Sequence, residues 1–575
     1  MLMMLASIFG FSQKYKYTFK ISGIKDTCVM GYYFASENNT IPFDTAICDK
    51  NGVVVFSGEK KINNGMYFFY NQSVYIDFLI NNEYEFTLET DTLKPVANAK
   101  LTGSLENKHF FEFQRFMALH NGQIQELSTK MKSTTNEQDR KNIETQLKTH
   151  LDALDQYKLN LLKNNPNSLT GKFFQALTPV KYPTPPKDKN GNPDQIWLYN
   201  WNKTHYWDNF NPFDKTLLYT PIYENKFITY YQKSIVQNVD SLNKMIDFFL
   251  DRVIDDELFR YITVNFYNQY GGSKIMGQDA VFIHLLDKYY IDRATWITEE
   301  LRTKLKDEVK RTQPNLLNTL SKELKLMNLP NDTSAIKALK KSFASIKSKA
   351  ATLKQQNAAA PEELTKQVAL MFNEWTQQGN SYESLHQIEN LYTIVWFWEP
   401  SCSHCQKETP ELLAMYNRLK NFKNLLEVYA VYVEPFTEDW EKYFDHIDEW
   451  CDFVLKHQMN RWINVWDPFH LSQFREFYNV SGTPAAYMIN NDKKFIAKRL
   501  TVDQMESLIL EKEMDKIYTS YTTKNDRLTN LKKWIDIFEY KKDLELLKER
   551  VKSNMIEELK QPIVDYIDAK LPKLK

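Results

Sequence analysis

The chain has 575 residues, of which 43% are hydrophobic and 25% are charged, a composition typical of globular proteins and unlike that of a disordered chain. Its 73 basic side chains balance its 73 acidic ones, so it lacks the basic excess usual in nucleic-acid-binding domains. Only 15 residues are glycine, and neither of the two common glycine-rich phosphate-binding motifs occurs, which excludes the nucleotide chemistry that depends on them. A chain of this length is expected to form several domains.

The first eleven residues are nearly all apolar and are followed by Ser12 and Gln13. This pattern is typical of a secretory signal, although the positively charged start is absent. We interpret residues 1–13 as a signal-peptide segment and expect an exported protein of the periplasm or cell envelope. The alternative is a buried first strand. No later apolar run is long enough to form a transmembrane helix.

Residues 14–105 have the pattern of an antiparallel β domain. Apolar and polar residues alternate from Tyr15 to Ile21, and Asn51-Gly52 precedes a valine-rich run, as in a tight hairpin. Further strands are predicted at Met66–Tyr70, Val74–Ile80 and Tyr84–Leu88.

From about residue 106 the apolar period changes to that of helices. We predict an all-α region over residues 106–380, interrupted by a proline-rich extended segment at 178–193 and including a helix that starts at Pro361. Residues 511–575 have the same periodicity and are predicted to form a helical C-terminal extension.

The chain has five cysteines, too few for a disulfide scaffold. Cys28 and Cys48 fall in the β domain. They either pair across strands or are separate small core residues, and we favour the second interpretation.

The C-x-x-C pair of Cys402 and Cys405 is the most informative feature of the sequence. It follows a continuous apolar run, Tyr392–Trp398, which is typical of a strand buried on both faces, and it precedes a helical pattern. Cys402 should therefore lie at a helix N-terminus, where unpaired amides and the macrodipole favour its thiolate. His404, when protonated, would stabilise this thiolate further. Cys405 lies one turn along the helix and can resolve a mixed disulfide formed by Cys402.

These residues resemble the thioredoxin superfamily. The match comprises Phe397-Trp398, the Cys402-x-x-Cys405 pair and Pro410, and a second element follows at Val480–Pro484. The longer layout between the two elements resembles the TlpA/ResA-like envelope branch and places a thioredoxin-like domain at residues 384–510. The β-rich and helical regions before it resemble N-terminal regions, of no established activity, in some Gram-negative envelope thioredoxin-like proteins.

The resemblance implies a thiol-disulfide oxidoreductase that acts on protein thiols or disulfides. The Cys402–Cys405 disulfide would be its redox group, with no other cofactor and no metal, and Thr483 and Pro484, joined by a cis bond, would dock the substrate. Thioredoxins have a buried carboxylate directly before the Phe-Trp pair. Because Trp396 occupies that position here, Glu399 is the candidate substitute. A reducing role in the envelope would need a membrane electron donor, and the direction of transfer stays open.

Other interpretations assign the two cysteines differently. A zinc site needs four ligands, and only Cys451 with His446 or His457 is near enough in sequence to complete one. A peroxiredoxin would have threonine three residues before the reactive cysteine, where this chain has Glu399. A binding or scaffold protein, whose thioredoxin-like domain turns over little, is the alternative function.

The expected architecture is therefore multidomain α+β. An antiparallel β domain (14–105) is followed by a central all-α region (106–380), a thioredoxin-like α/β domain (384–510) and a helical extension (511–575).

Overall fold

The computed structural model describes residues 14–355, 366, 370, 382–420, 422, 424–435, 440–468, 470–521, 523–536, 541–555 and 557–573. The signal-peptide segment predicted at residues 1–13 lies outside them, as does Pro361, the expected start of a helix. The chain divides into two compact units, one ending at Phe266 and the other beginning at Tyr267. None of the helices in the described part of the chain is both long and apolar enough to cross a membrane.

The first unit begins with two four-stranded sheets. Their strands are ordered β4-β1-β7-β8 and β3-β2-β5-β6. The strands are β1 (Tyr15–Ser22), β2 (Thr27–Phe34), β3 (Ser36–Ile47), β4 (Val53–Gly58), β5 (Gly65–Asn71), β6 (Val74–Ile80), β7 (Glu85–Asp91) and β8 (Lys100–Thr102).

Apolar residues that alternate with polar ones along the strands form the core of these sheets. In β1 the apolar residues from Tyr15 to Ile21 are buried at every second position, as the period of a half-buried strand requires. They pack with phenylalanines of β4, β5 and β6 into one aromatic cluster. The pairing is mostly antiparallel, but β1 and β7 run parallel. The expected β domain is present, with this one parallel pair among its antiparallel strands. The three later predicted strands correspond to β5, β6 and β7.

Helices follow the strands in the first unit. Ser104 and Asn136 cap the first two of them, each accepting hydrogen bonds from backbone N–H groups of the first turn. The helices are α1 (Leu105–Ser133), α2 (Glu137–Asn164), α3 (Leu169–Ala176), α4 (Gln195–His205), α5 (Lys215–Leu218), α6 (Tyr223–Thr229), α7 (Val239–Leu250) and α8 (Asp256–Gly271), with a π-helical turn at Tyr230–Ser234.

The second unit contains a seven-stranded sheet, ordered β10-β9-β13-β12-β11-β14-β15. Its strands are β9 (Lys325–Asn328), β10 (Tyr382–Ser384), β11 (Tyr392–Trp398), β12 (Leu426–Tyr432), β13 (Ile463–Trp466), β14 (Ala485–Asn490) and β15 (Phe495–Lys498). The three strands β11, β12 and β13 are parallel, and their flanking strands β9 and β14 pair antiparallel to them.

The helices of this unit are α9 (Asp279–Leu285), α10 (Ile291–Arg293), α11 (Glu299–Thr312), α12 (Thr333–Gln355), α13 (Ser403–Leu419), α14 (Trp440–Lys456), α15 (Phe474–Phe477), α16 (Val502–Ser520), α17 (Lys524–Ile535), α18 (Lys541–Asn554) and α19 (Glu557–Lys570). Shorter turns lie at Leu286–Tyr290 (π), Gln313–Asn315, Leu385–Gln387, Met459–Arg461 and Leu571–Lys573 (3-10).

Strand β11 lies inside the sheet, between β12 and β14, and all seven of its residues are buried. Its side chains alternate between two cores. Trp396 and Trp398 belong to a cluster with α12–α14 and α16–α19, while Val395 and Phe397 belong to a cluster with Tyr478 on the opposite face. The apolar run of the sequence therefore predicted a doubly covered strand correctly.

Two short strands of the sheet begin before residue 384, the predicted start of the thioredoxin-like domain. Strand β9 lies inside the region predicted to be helical, and β10 begins at Tyr382, just before the expected start of the domain at residue 384. Strand β9 has four residues, of which Leu326 and Met327 are buried, so it is too short to show a period of its own. Its pairing with β13 and β10 holds it in place.

A buried ion pair joins α13 to α16. The guanidinium of Arg418 donates to both carboxylate oxygens of Glu506, at 3.0 and 2.6 Å, and the Glu506 side chain is only 5% exposed. Removing one partner of such a pair leaves a charge without its compensation.

We expect Glu506→Ala to lower the free energy of unfolding by about 3 kcal/mol, measured by urea denaturation. The matched control is Glu300→Ala, which removes an exposed pair with Lys304 on α11 and should cost less than about 1 kcal/mol. Equal losses in the two variants would contradict the assignment of a stabilising role to the Arg418–Glu506 pair.

Candidate active site

The site lies at the end of strand β11. Three residues separate the last residue of β11, Trp398, from Cys402, which is the N-cap of α13 with an extended backbone (φ −75°, ψ 120°). A residue at this position faces the N–H groups of the first helical turn, which have no partners within the helix. The chain thus places a sulfur where negative charge is stabilised.

Hydrogen bonds favour ionisation of Cys402. Its side chain is half-buried, and its Sγ lies 3.2 Å from the carbonyl oxygen of Thr483, to which the thiol donates. Burial raises the pKa of Cys402, but hydrogen bonds from the backbone N–H and side chain of Cys405 and from the backbone N–H of His404 lower it by more. The pKa of Cys402 is therefore below its ordinary value.

Cys405 is different, because its side chain is fully buried under the first turn of α13. Burial raises the pKa of Cys405 to about 12, and the neighbouring Cys402 contributes in the same direction, although a backbone hydrogen bond from Glu399 lowers it. One sulfur of the pair is accessible and ionises readily, while the other is enclosed and holds its proton.

The loop before β14 closes over the sulfurs. The peptide bond between Thr483 and Pro484 is cis, and both residues are half-buried. The Thr483 hydroxyl donates a hydrogen bond of 2.9 Å to the Glu399 carboxylate, while its carbonyl oxygen accepts from Cys402. The structure therefore brings Cys402, Cys405, Glu399, Thr483 and Pro484 together.

His404 is exposed on the first turn of α13. It acts on Cys402 through its backbone N–H, whereas its imidazole lowers the pKa of Glu408, which burial raises. Sequence reasoning missed Glu408, although its place one turn after His404 on a helix made the contact foreseeable.

Sequence reasoning also missed Glu434, which follows β12. The β11–β12 ladder ends at the pair Trp398 and Tyr432, and the Val433 N–H then donates to the Trp398 carbonyl at 2.8 Å. The Glu434 side chain is 6% exposed, and its Oε2 has no hydrogen-bond partner among the described residues. Burial raises the pKa of Glu434 to about 8, although the nearby Arg475 lowers it. An acidic residue two positions after a parallel, buried strand was the available signal.

An open groove lies beside Cys402. It has a volume of about 910 Å³, and its lining includes the residue before the cysteine, Ser401, and one on the first turn of α13, Gln406. Lys337, Phe453 and Lys456 also line it. Its surface therefore combines apolar and charged groups next to the accessible sulfur.

The residues considered for a zinc site do not gather around the pair. Cys451 is buried on α14, and burial raises the pKa of its thiol to about 12. Within the described ranges, no group of three or more His, Cys, Asp or Glu side chains is arranged to hold a metal ion.

Three features of the second unit occur together. Parallel strands β11, β12 and β13 are followed by the antiparallel pair β14 and β15. The C-x-x-C pair lies at the start of the helix that follows β11, and a cis-proline loop faces this pair. The second unit has a thioredoxin-like fold. The thioredoxin-like fold predicted for the part of the chain that carries the cysteine pair is confirmed.

Solved structures similar to this chain include thioredoxin-like proteins. A thioredoxin-like protein from Bacteroides caccae has 17% identity and a TM-score of 0.35, covering 58% of this chain and 99% of its own. A domain of a possible thiol-disulfide isomerase from Cytophaga hutchinsonii has 22% identity and a TM-score of 0.23, covering 35% and 95%. StoA from Bacillus subtilis has 18% identity and a TM-score of 0.18, covering 22% and 88%.

Residues 130–315 match a family described as a domain of unknown function, DUF5106. No curated protein matches the chain. The matched residues run from within α1 to just before β9, so they precede the cysteine pair.

The different environments of the two sulfurs predict different alkylation. In the reduced protein, we expect iodoacetamide to modify Cys402 with a pH midpoint below the ordinary cysteine value, while Cys405 reacts at least tenfold more slowly at pH 7 because its thiol keeps its proton. Peptide mass spectrometry over a pH series measures both. In concentrated urea the two alkylation rates should converge. A difference that persists there would show that the fold is not its cause.

Glu434 predicts a pH dependence of stability. Between about pH 4.5 and pH 8 the unfolded chain releases this proton and the folded chain keeps it, so the free energy of unfolding should fall as pH rises. From pH 5.5 to 7.5 the wild type should lose roughly 2 kcal/mol relative to Glu434→Gln, measured by urea denaturation. If the free energies of unfolding of the wild type and Glu434→Gln changed equally with pH, Glu434 would be ionised in the folded protein and the prediction would be wrong.

Proposed function

We propose that this chain is a thiol-disulfide oxidoreductase of the cell envelope that acts on protein thiols or disulfides. The observation that carries the proposal is the position of the Cys402 sulfur. It lies at the N-terminus of α13, 3.2 Å from the Thr483 carbonyl oxygen, with the enclosed Cys405 one turn behind. Cys402 has the lowered pKa that a nucleophilic thiol needs. Cys405 has a raised pKa, so it stays protonated until the mixed disulfide has formed.

The exchange proceeds in two displacements. The Cys402 thiolate attacks one sulfur of a substrate disulfide, forming a mixed disulfide and releasing the other sulfur as a thiolate. Cys405 then loses its proton and attacks the Cys402 sulfur, which forms the Cys402–Cys405 disulfide and releases the second substrate thiolate. The substrate gains two electrons and the chain loses two. The reverse sequence oxidises a substrate dithiol.

The surroundings of Cys402 fit a polypeptide substrate. The backbone of Thr483 lies at the accessible sulfur, where an extended chain can align, and the groove that begins at Ser401 and Gln406 offers room for flanking side chains. Thiol exchange in the envelope requires an external redox partner. For a reducing role we propose a membrane electron donor that reduces the Cys402–Cys405 disulfide.

Insulin reduction tests this proposal. The wild type should accelerate the reduction of insulin by dithiothreitol, and Cys402→Ser should return the rate to that without protein, since the attacking sulfur is gone. Cys405→Ser should instead accumulate a mixed disulfide with insulin, visible by mass spectrometry. Cys451→Ser removes a thiol that plays no part in the exchange and should keep the wild-type rate.

Activity that survives in Cys402→Ser would defeat the assignment of the nucleophile. The alternative of a binding or scaffold protein with little turnover predicts a different result. In that case the Cys402–Cys405 dithiol would show no equilibrium with glutathione buffers of graded potential. A measurable equilibrium also gives the reduction potential, where about 30 mV corresponds to about 1.4 kcal/mol.

A further inference from the structure

Cys28 and Cys48 lie on neighbouring strands of the first unit. Cys28 is the second residue of β2, and Cys48 directly follows the last residue of β3. In the antiparallel ladder between these strands Cys28 is opposite Ala46, so Cys48 is its diagonal neighbour. The structure therefore brings together two cysteines that the sequence left as separate core residues or a cross-strand pair.

Both cysteine side chains are on the inner face of the sheet. Cys28 is fully buried in the aromatic cluster, and Ala46 and Cys48 pack against that cluster, whereas Ile47 between them is 77% exposed. This alternation is the ordinary period of a strand. Burial, together with the adjacent Cys48 thiol, raises the pKa of Cys28 to about 11, although a hydrogen bond from Asn71 lowers it.

The backbone at this point holds the two residues together. The Cys48 N–H donates to the Asp26 carbonyl at 3.2 Å, and the Cys28 Sγ lies 4.0 Å from the same oxygen. The buried amide of Asn71 donates to the carbonyls of Lys25 and Thr27, at 2.8 and 3.1 Å, which fixes the start of β2. Asp26, just before β2, has a left-handed backbone (φ 69°), and the register of the ladder is regular at Thr27 and Cys28.

The distance between the two positions is close to that of a disulfide. Diagonal neighbours in a regular antiparallel ladder have Cα atoms about 7–8 Å apart, and disulfides span Cα distances up to about 6.8 Å. Closing the pair needs a movement of roughly 1 Å. Cys48 can supply it, because it lies beyond the last paired residue of β3 and leads into the turn that contains Gly52.

We propose that Cys28 and Cys48, both reduced in the structure, form a disulfide under oxidising conditions that links the start of β2 to the end of β3. The two thiols give up two protons and two electrons to a low-molecular-weight disulfide, which becomes two thiols. This site is separate from Cys402 and Cys405 and does not depend on their proposed function.

A variant without the C-x-x-C thiols isolates the proposed pair. In the full chain carrying Cys402→Ser and Cys405→Ser, three cysteines remain: Cys28, Cys48 and Cys451. After incubation with oxidised glutathione and removal of the reagent, thiol titration in denaturant should detect one thiol per chain instead of three. Digestion without reductant should yield the Cys28 peptide linked to the Cys48 peptide.

The matched control adds Cys48→Ser, a change at a half-buried position that leaves the aromatic core intact. Its two remaining thiols should both stay titratable after the same treatment. Three titratable thiols in the test variant, or a glutathione adduct on Cys48 with Cys28 free, would overturn the proposal. Linkage of either cysteine to Cys451 would overturn it as well.

Discussion

The chemistry of the second unit depends on where one sulfur atom is held. The Cys402 Sγ is placed between the N-terminus of α13 and the Thr483 carbonyl, and both positions are set by elements buried in the sheet. Strand β11 fixes the start of the helix because its seven residues are covered on both faces. Strand β14 pairs with β11 and fixes the loop that ends at Pro484. Two neighbouring strands of one sheet thus determine the distance between sulfur and carbonyl.

The two sulfurs differ although they are one helical turn apart. At Cys402 the backbone N–H groups of the first turn outweigh partial burial, while at Cys405 complete burial outweighs the hydrogen bond from Glu399. In the proposed exchange the order of the two displacements follows from this difference, since the more accessible and more acidic thiol reacts first. Burial and a high pKa also protect the Cys405 thiol from oxidants in solution.

Much of this arrangement could be predicted from sequence, for local reasons. The run Tyr392–Trp398 and the run Val74–Ile80 are strands with the predicted limits, because continuous or alternating apolar residues bounded by turn residues leave little choice. The C-x-x-C spacing and the Thr483-Pro484 pair indicated which loops would meet. No such signal exists for β9, whose four residues acquire their conformation from pairing with β13 and β10. Glu434 and the Cys28–Cys48 contact depend in the same way on long-range packing.

The proton of Cys405 must leave before this residue can attack Cys402 in the proposed exchange. Burial raises the pKa of Cys405, so the thiol holds its proton at neutral pH and the step requires a proton acceptor. Glu434 does not fit this role at neutral pH, because its own pKa of about 8 leaves it mostly protonated. Glu399 is better placed, since its backbone N–H contacts the Cys405 sulfur and its carboxylate accepts from Thr483. The substrate thiolate released in the first displacement is the other base available near the sulfurs. Trp396 occupies the position that a carboxylate has in thioredoxins, so in the proposed exchange another group must accept this proton.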